Sequence, residues 1–236
     1  IARGDAEGEV YRPRFTYHAY RYVEITGYFD LRQYGKDPDT DIAVGLVMST
    51  DLEQAGSFRC ANEDINRLQG IMMSTFRSNY HGFPEDCPGR EKCGWLGDAQ
   101  VVCNTGMMNY RMQASYEKYL HDIRTEVEMY GVWQMIAPGM RGCGEATPLW
   151  GCAQVLIPYW MYRYYGDRAV VDDNWDMMCR WVEHEAADAK DFIITRGLGD
   201  WCPPVGLKSD RRIPVPESST QMFYEICCRM SELAAE

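Results

Sequence analysis

Residues 86–98 concentrate side chains that can perform acid chemistry. Three carboxylates, Asp86, Glu91 and Asp98, lie in one short stretch with Arg90 and Trp95. Crowded carboxylates repel each other's charge and an indole wall excludes water, so both effects raise a carboxyl pKa towards neutrality. An indole face stacks on a pyranose ring, while carboxylates accept hydrogen bonds from sugar hydroxyls. The stretch therefore fits a sugar-hydrolysing site, and a solvated acidic loop is the alternative.

The same stretch cannot form a regular helix, which predicts how its side chains are held. Pro88 lacks an amide donor, and Gly89, Gly94 and Gly97 can adopt backbone conformations closed to other residues. We predict an ordered loop, an element that carries function more often than packing does. Asp98 precedes an apolar run, so its non-catalytic interpretation is a helix cap.

The string DCPGREKCGWLGDAQ resembles the signature of the bacterial α-L-rhamnosidases, inverting glycoside hydrolases built on a six-hairpin toroid of helices. The resemblance implies that Glu91 is the general acid. It also implies that Asp86, Arg90 and Asp98 bind rhamnose hydroxyls or stabilise the charged transition state, and we place Trp95 in the same sugar-binding group. Arg90 has a second interpretation, in which it only holds Asp86 or Asp98 through a charge-assisted pair.

Two later loops resemble the same family. The first ends in Trp150-Gly-Cys-Ala, where Trp150 is either a stacking wall for sugar or ordinary core. The second contains Asp200 and Trp201, which we predict to contact sugar, with a helix cap or solvated turn as the alternative. Cys152 stands where the family usually has Asp. If that Asp caps a helix, the change costs about 1 kcal/mol, and if it binds substrate, the sugar subsite is altered.

Hydrophobic patterning predicts a mainly α fold with an N-terminal β segment. Alternating aromatic and β-branched residues over 15–26 and 42–50 are typical of strands, and we interpret residues 1–58 as the C-terminal part of a β-sandwich. The family resemblance implies that residues 59–236 form the first half of an (α/α)6 catalytic toroid. Its helices are expected over about 62–80, 98–111, 115–132, 153–165, 169–189 and 217–236.

The first predicted helix has a clear apolar face. Five residues recur at helical spacing and are predicted to be core: Ile65, Leu68, Ile71, Met72 and Phe76. About six helices make about three hairpins, half of the family's six, so we expect the chain to be a fragment. The resemblance places the general base in the later half of the toroid. We therefore expect the isolated chain to be inactive and to self-associate through its exposed half-toroid surface.

Composition limits the partners. The net charge of −11 disfavours nucleic acid and anionic membrane surfaces, but it is neutral towards an uncharged glycan such as a rhamnose-containing glycoside. The ten cysteines and four histidines show no metal-ligand spacing, so we expect no metal, and no organic cofactor is implied. Scattered cysteines predict buried free thiols and favour a cytoplasmic setting, without excluding export. Another six-hairpin glycosidase and a noncatalytic sugar-binding or scaffold domain are the rival functions.

Overall fold

The computed structural model describes residues 10–24, 44–139, 141, 143–199, 201–202 and 213–236. Helices dominate this part of the chain, as predicted from the apolar periodicity. Their bounds are α1 (Glu63–Ser78), α2 (Leu96–Asn109), α3 (Gln113–Tyr130), α4 (Pro148–Gly151), α5 (Ala153–Tyr165), α6 (Arg168–Asp188) and α7 (Val215–Ala234). The six long helices match the six predicted ones to within a few residues at each end.

The predicted strands do not form in the described residues. Residues 10–24 and 44–50 run as irregular chain, and the rest of the predicted β segment, 25–43, lies outside the described part. The alternating side chains are largely exposed, with Phe15 at 89% and Val47 at 93%. A strand is stable only when a neighbour takes up its backbone hydrogen bonds, and the described residues provide no such neighbour to these segments.

Helix α5 is the centre of the helical part. It is apolar on nearly all sides, so it is buried by packing against α2, α3, α6 and α7. Gly166 ends it in the left-handed conformation at φ 66°, and the chain turns directly into α6. Behind α5, the indole of Trp181 fills the space that a side chain on Gly151 would need, since a Cβ there would lie 2.1 Å from the ring. The functional loops are attached to this core.

Helix α1 contradicts the prediction of a buried apolar face. Its start is as predicted, because Asn62 caps it by accepting the amide hydrogens of Asp64 and Ile65. Of the five residues predicted as core, only Phe76 is buried; the exposed ones are Ile65 at 45%, Leu68 at 63%, Ile71 at 61% and Met72 at 37%. Phe76 stacks on Tyr80 and Tyr110 at the C-terminal end of the helix. The rest of the face has no cover within the described residues.

The ten cysteines are all free thiols, as predicted. Burial is less general than expected, because only Cys93, Cys103 and Cys152 are buried, while Cys143 and Cys202 are exposed. Loops at the rim of the helices leave their cysteines open to solvent. None of the helices in the described ranges is long and apolar enough to cross a membrane, and no group of three potential metal ligands occurs there.

Candidate active site

The loop that precedes α2 is fixed by a second segment, which follows α3. The amide of Leu96 donates to the carbonyl of Met135 at 3.0 Å, and the amide of Ala137 donates to the carbonyl of Gly94 at 2.9 Å. The Tyr119 hydroxyl also donates to the Gly94 carbonyl, at 3.0 Å. A Cβ at residue 94 would lie 1.8 Å from the Ala137 oxygen, so the close approach requires glycine. The loop is therefore ordered, as predicted.

Within the loop, backbone contacts turn the residue 91 side chain towards α2. The Asp86 carboxylate accepts the Cys93 amide at 3.0 Å, and the Asp86 amide donates to the Cys93 carbonyl at 3.1 Å. Between them, Lys92 adopts the left-handed conformation at φ 56°, and its amide donates to the Cys87 carbonyl at 3.1 Å. Asp86 thus has a structural task as well as its predicted place beside the sugar.

Glu91 stands at the tip of this turn with both carboxylate oxygens engaged. The indole Nε1 of Trp95 donates to Oε2 at 3.0 Å, and the guanidinium of Arg90 donates to Oε1 at 2.8 Å. The Glu91 side chain remains 32% exposed and that of Arg90 86% exposed. The alternative in which Arg90 pairs with Asp86 or Asp98 is wrong, because its guanidinium pairs with Glu91. An oriented carboxylate that solvent can reach is suited to proton transfer.

Asp98 does not cap α2. The helix begins one turn earlier, with Trp95 at the N-cap position, and Asp98 lies in the first turn, where a negative charge interacts favourably with the helix dipole. Burial raises the pKa of Asp98, and the charges of Asp86 and Glu91 raise it further. The three carboxylates that the sequence singled out therefore lie close enough to influence one another.

An aromatic cleft of about 400 Å³ opens beside Asp98. Trp150 forms one wall and is packed so closely on Gly97 that a Cβ there would lie 2.7 Å from its Nε1. Trp201, 67% exposed, lines the same cleft. Asp200 lies outside the described residues. The site prediction thus brings Trp150 and Trp201 together with Asp98, and the packing on Gly97 shows that Trp150 is both a wall and part of the local core.

Sequence reasoning missed two polar residues of the cleft, Gln100 on α2 and Ser218 on α7. Neither belongs to a local pattern that indicates binding, since the cleft is formed by α2, α4 and α7 together.

Cys152, where the family usually has Asp, is fully buried and donates through Sγ to the Leu149 carbonyl at 3.3 Å. It occupies the N-cap position of α5 but makes no capping hydrogen bond with its side chain.

A second acidic centre, also missed, lies deeper in the helical core. The Glu185 side chain is fully buried, and Arg196 donates to its Oε1 at 2.7 Å. The same guanidinium pairs with Asp188 at 2.7 Å and donates to the Ala146 carbonyl at 3.0 Å. Burial raises the pKa of Glu185 to about 7, against the opposing effect of Arg196. Glu185 and Asp188 lie on α6 and Arg196 lies on the loop that follows it, so no sequence spacing indicates this cluster.

Helical hairpins that carry a carboxylate loop and an aromatic cleft at one end fit the class of glycoside hydrolases built from helical hairpins. Residues 53–236 match the sequence profile of the bacterial α-L-rhamnosidase six-hairpin glycosidase domain, and residues 1–49 match that of the bacterial α-L-rhamnosidase concanavalin-like domain. The chain therefore belongs to the bacterial α-L-rhamnosidase family.

Individual relatives agree with this assignment. An α-L-rhamnosidase of Formosa agariphila is 38% identical over 99% of this chain, which spans 25% of that protein. The solved α-L-rhamnosidase from Dictyoglumus thermophilum superposes with a TM-score of 0.75 at 32% identity, over 81% of this chain and 22% of its own. The Streptomyces avermitilis α-L-rhamnosidase, solved with L-rhamnose, gives 0.74 at 26% identity, over 81% and 18%. This chain thus spans about a quarter or less of the length of these relatives.

Proposed function

We propose that this chain contributes the proton-donating side of an α-L-rhamnosidase active site, which releases terminal α-L-rhamnose from glycosides with inversion. The carrying observation is the Glu91 carboxylate, oriented by Trp95 at 3.0 Å and Arg90 at 2.8 Å, beside two further carboxylates. Solved and curated relatives named α-L-rhamnosidases support the substrate class, and one of them was solved with L-rhamnose.

In this proposal Glu91 donates its proton to the glycosidic oxygen as the bond from that oxygen to the anomeric carbon breaks. A water molecule attacks the anomeric carbon from the opposite face and gives its proton to a general base, which in inverting enzymes lies about 6.5–9.5 Å from the acid. Asp86 and Asp98 bind sugar hydroxyls, and their charges stabilise the positive charge that develops on the ring. The family resemblance places the base beyond the residues of this chain.

The aromatic cleft supplies the sugar-binding surface. Trp150 and Trp201 present indole faces that suit stacking on a pyranose ring. Asp98 lines the same cleft and lies close enough to Glu91 for the Glu91 charge to raise the Asp98 pKa. We propose that Trp95 and Arg90 touch the sugar from the loop side, and that Asp200 contributes next to Trp201. We further propose residues 1–58 as the end of a β-sandwich and 59–236 as part of the toroid.

The test uses the complete protein and a panel of nitrophenyl glycosides. We expect hydrolysis of the α-L-rhamnoside above the other sugars, with β-L-rhamnose as the first product seen by proton NMR. Preference for another sugar would favour a different six-hairpin glycosidase. Binding of rhamnose without hydrolysis would favour a noncatalytic sugar-binding domain. The 236-residue chain alone is expected to show no steady turnover.

A further inference from the structure

Residues 10–24, which precede the helices, contact the loop that carries Glu91 mainly through Tyr17. Among residues 10–24, Tyr17 is the one that is half-buried, and the others are exposed. Its ring stacks on His81 with centroids 3.9 Å apart and an interplanar angle of 14°. Its hydroxyl donates to the carboxylate of Glu85, whose side chain is fully buried and whose other oxygen lies 3.0 Å from Nδ1 of His81. A buried carboxylate with both oxygens occupied is a fixed anchor.

The same tyrosine reaches the residue next to the proposed acid. Lys92 Nζ donates to the Tyr17 carbonyl at 2.5 Å and lies 4.6 Å from the centroid of its ring. Lys92 holds the left-handed backbone conformation, which a residue with a side chain rarely adopts unless its surroundings impose it. Tyr17 therefore contacts Lys92 at the point where the chain must turn to present Glu91 to Trp95.

Further contacts join the two segments. The Cβ of Ala19 lies against Gly89, 3.4 Å from where a side chain on that glycine would begin. Burial and the hydrogen bond to Glu85 raise the Tyr17 pKa, so the hydroxyl stays protonated and keeps donating. The donor side of this hydrogen bond is therefore kept in neutral and weakly alkaline solution.

We propose that Tyr17 is a positioning residue for the acid step: by holding Lys92 in its left-handed turn, it fixes the direction in which Glu91 donates its proton. The inference rests on the proposed role of Glu91 as general acid. It gives the segment that precedes the helices a function in catalysis besides its part in the fold. Tyr17 itself lies behind the loop and touches Glu85, His81 and Lys92, not the cleft.

The test measures, in the complete enzyme, the ratio of kcat on a rhamnoside with a poor leaving group to kcat on an activated aryl rhamnoside. The poor leaving group needs the proton and the activated one does not. We expect Tyr17→Ala to lower this ratio about tenfold, with KM nearly unchanged. Tyr17→Phe, which keeps the ring and loses the hydroxyl, should lower it about threefold. Tyr22→Ala is the matched control, because Tyr22 is 91% exposed on the same segment, and it should leave the ratio unchanged.

An unchanged ratio in Tyr17→Ala, or an equal fall in Tyr22→Ala, overturns the proposal. If Tyr17→Ala does not fold, Tyr17→Phe decides in its place, and an unchanged ratio there has the same meaning. A second test compares Lys92→Gly with Lys92→Ala. Both variants lose the amine, but glycine adopts the left-handed conformation at little cost. The ratio of the two kcat values should therefore be higher in Lys92→Gly than in Lys92→Ala. Failure of the proposed function looks different, since the unmodified enzyme would then hydrolyse no rhamnoside, or Glu91→Gln would leave the ratio intact.

Discussion

Glu91 and Glu185 are each paired with an arginine and lie near a tryptophan, yet they occupy opposite environments. Glu91 is 32% exposed on a loop, with its arginine almost wholly in solvent. Glu185 is fully enclosed, and its arginine, Arg196, is only 28% exposed. The pKa of Glu185 is raised to about 7, a value often taken as the mark of a catalytic acid. Because Glu185 is enclosed, a substrate cannot reach it, and the proposal that Glu91 is the acid therefore rests on the exposure of Glu91 and on the orientation of its carboxylate.

The largest expected effect is on activity at the exposed site. Glu91→Gln keeps an oxygen to accept the Trp95 hydrogen bond but has no proton to donate. In the complete enzyme it should lower kcat on poor leaving groups by about 10²–10⁴-fold, with a smaller loss on activated aryl rhamnosides and an unchanged melting temperature. Glu53→Gln is the matched control, because Glu53 also pairs with an arginine at 2.9 Å but lies away from the cleft. Full activity in Glu91→Gln would remove this residue from the mechanism.

At the buried site the effect should fall on stability. Arg196→Met leaves the Glu185 carboxylate enclosed without its partner, and loss of one member of a buried pair costs about 3–5 kcal/mol. Urea unfolding of the complete enzyme at pH 8 measures this cost. The control is Arg111→Met, which breaks an exposed pair with Glu53 and should cost less than about 1 kcal/mol. Equal losses in the two variants would mean that Glu185 gains nothing from Arg196.

The buried site should also make stability depend on pH. Between about pH 4.5 and pH 7 the unfolded chain has released the Glu185 proton while the folded chain retains it. The folded state then binds more protons, so its stability falls as the pH rises through this window and levels off above pH 7. Unfolding measured from pH 5 to pH 8 should show this fall in the unmodified enzyme and a smaller one in Glu185→Gln. Parallel curves would contradict the raised pKa.

The smallest expected effect separates orientation from acidity at Glu91. Trp95→Phe removes the Nε1 donor that holds Oε2, and loss of one hydrogen bond to a partly exposed carboxylate should lower kcat/KM about tenfold. Trp133→Phe serves as the control, since Nε1 of Trp133 makes no hydrogen bond in the described part of the chain. An identical decrease in both variants would show that the ring, and not its donor, matters at residue 95.

The sequence predicted most of the helical architecture because its apolar periodicity is strong and its breaks are marked by glycine and proline. It also placed Asp86 and Glu91 in one ordered loop, since residues close in sequence stay together in a loop, but Asp98 lies just beyond this loop, in the first turn of α2. It failed where partners are distant. The Arg196 pair with Glu185 joins a loop to a helix, and no spacing rule links them.

The exposed face of α1 shows a different limit. Periodicity identifies an apolar face, but it does not say what covers that face, so Leu68 and Ile71 were wrongly predicted to be core. The same reasoning applies to the strands predicted over 15–26 and 42–50. Their alternation is clear, but the described residues contain no neighbouring strand for their described parts, 15–24 and 44–50. In both cases the sequence pattern identifies a surface that can be buried, but it does not identify the residues that would bury it.

The pairing of Gly94 with Ala137 and of Leu96 with Met135 also sets an order of assembly. These hydrogen bonds span the whole of α2 and α3, so the chain between them must fold back before either can form. Contacts between residues far apart in sequence form late, because the chain entropy is lost before the contact is gained. On the ribosome, the loop that carries Glu91 can take its final shape only after residue 137 has emerged, so α1, α2 and α3 leave the ribosome before this loop is complete and α4 to α7 follow it.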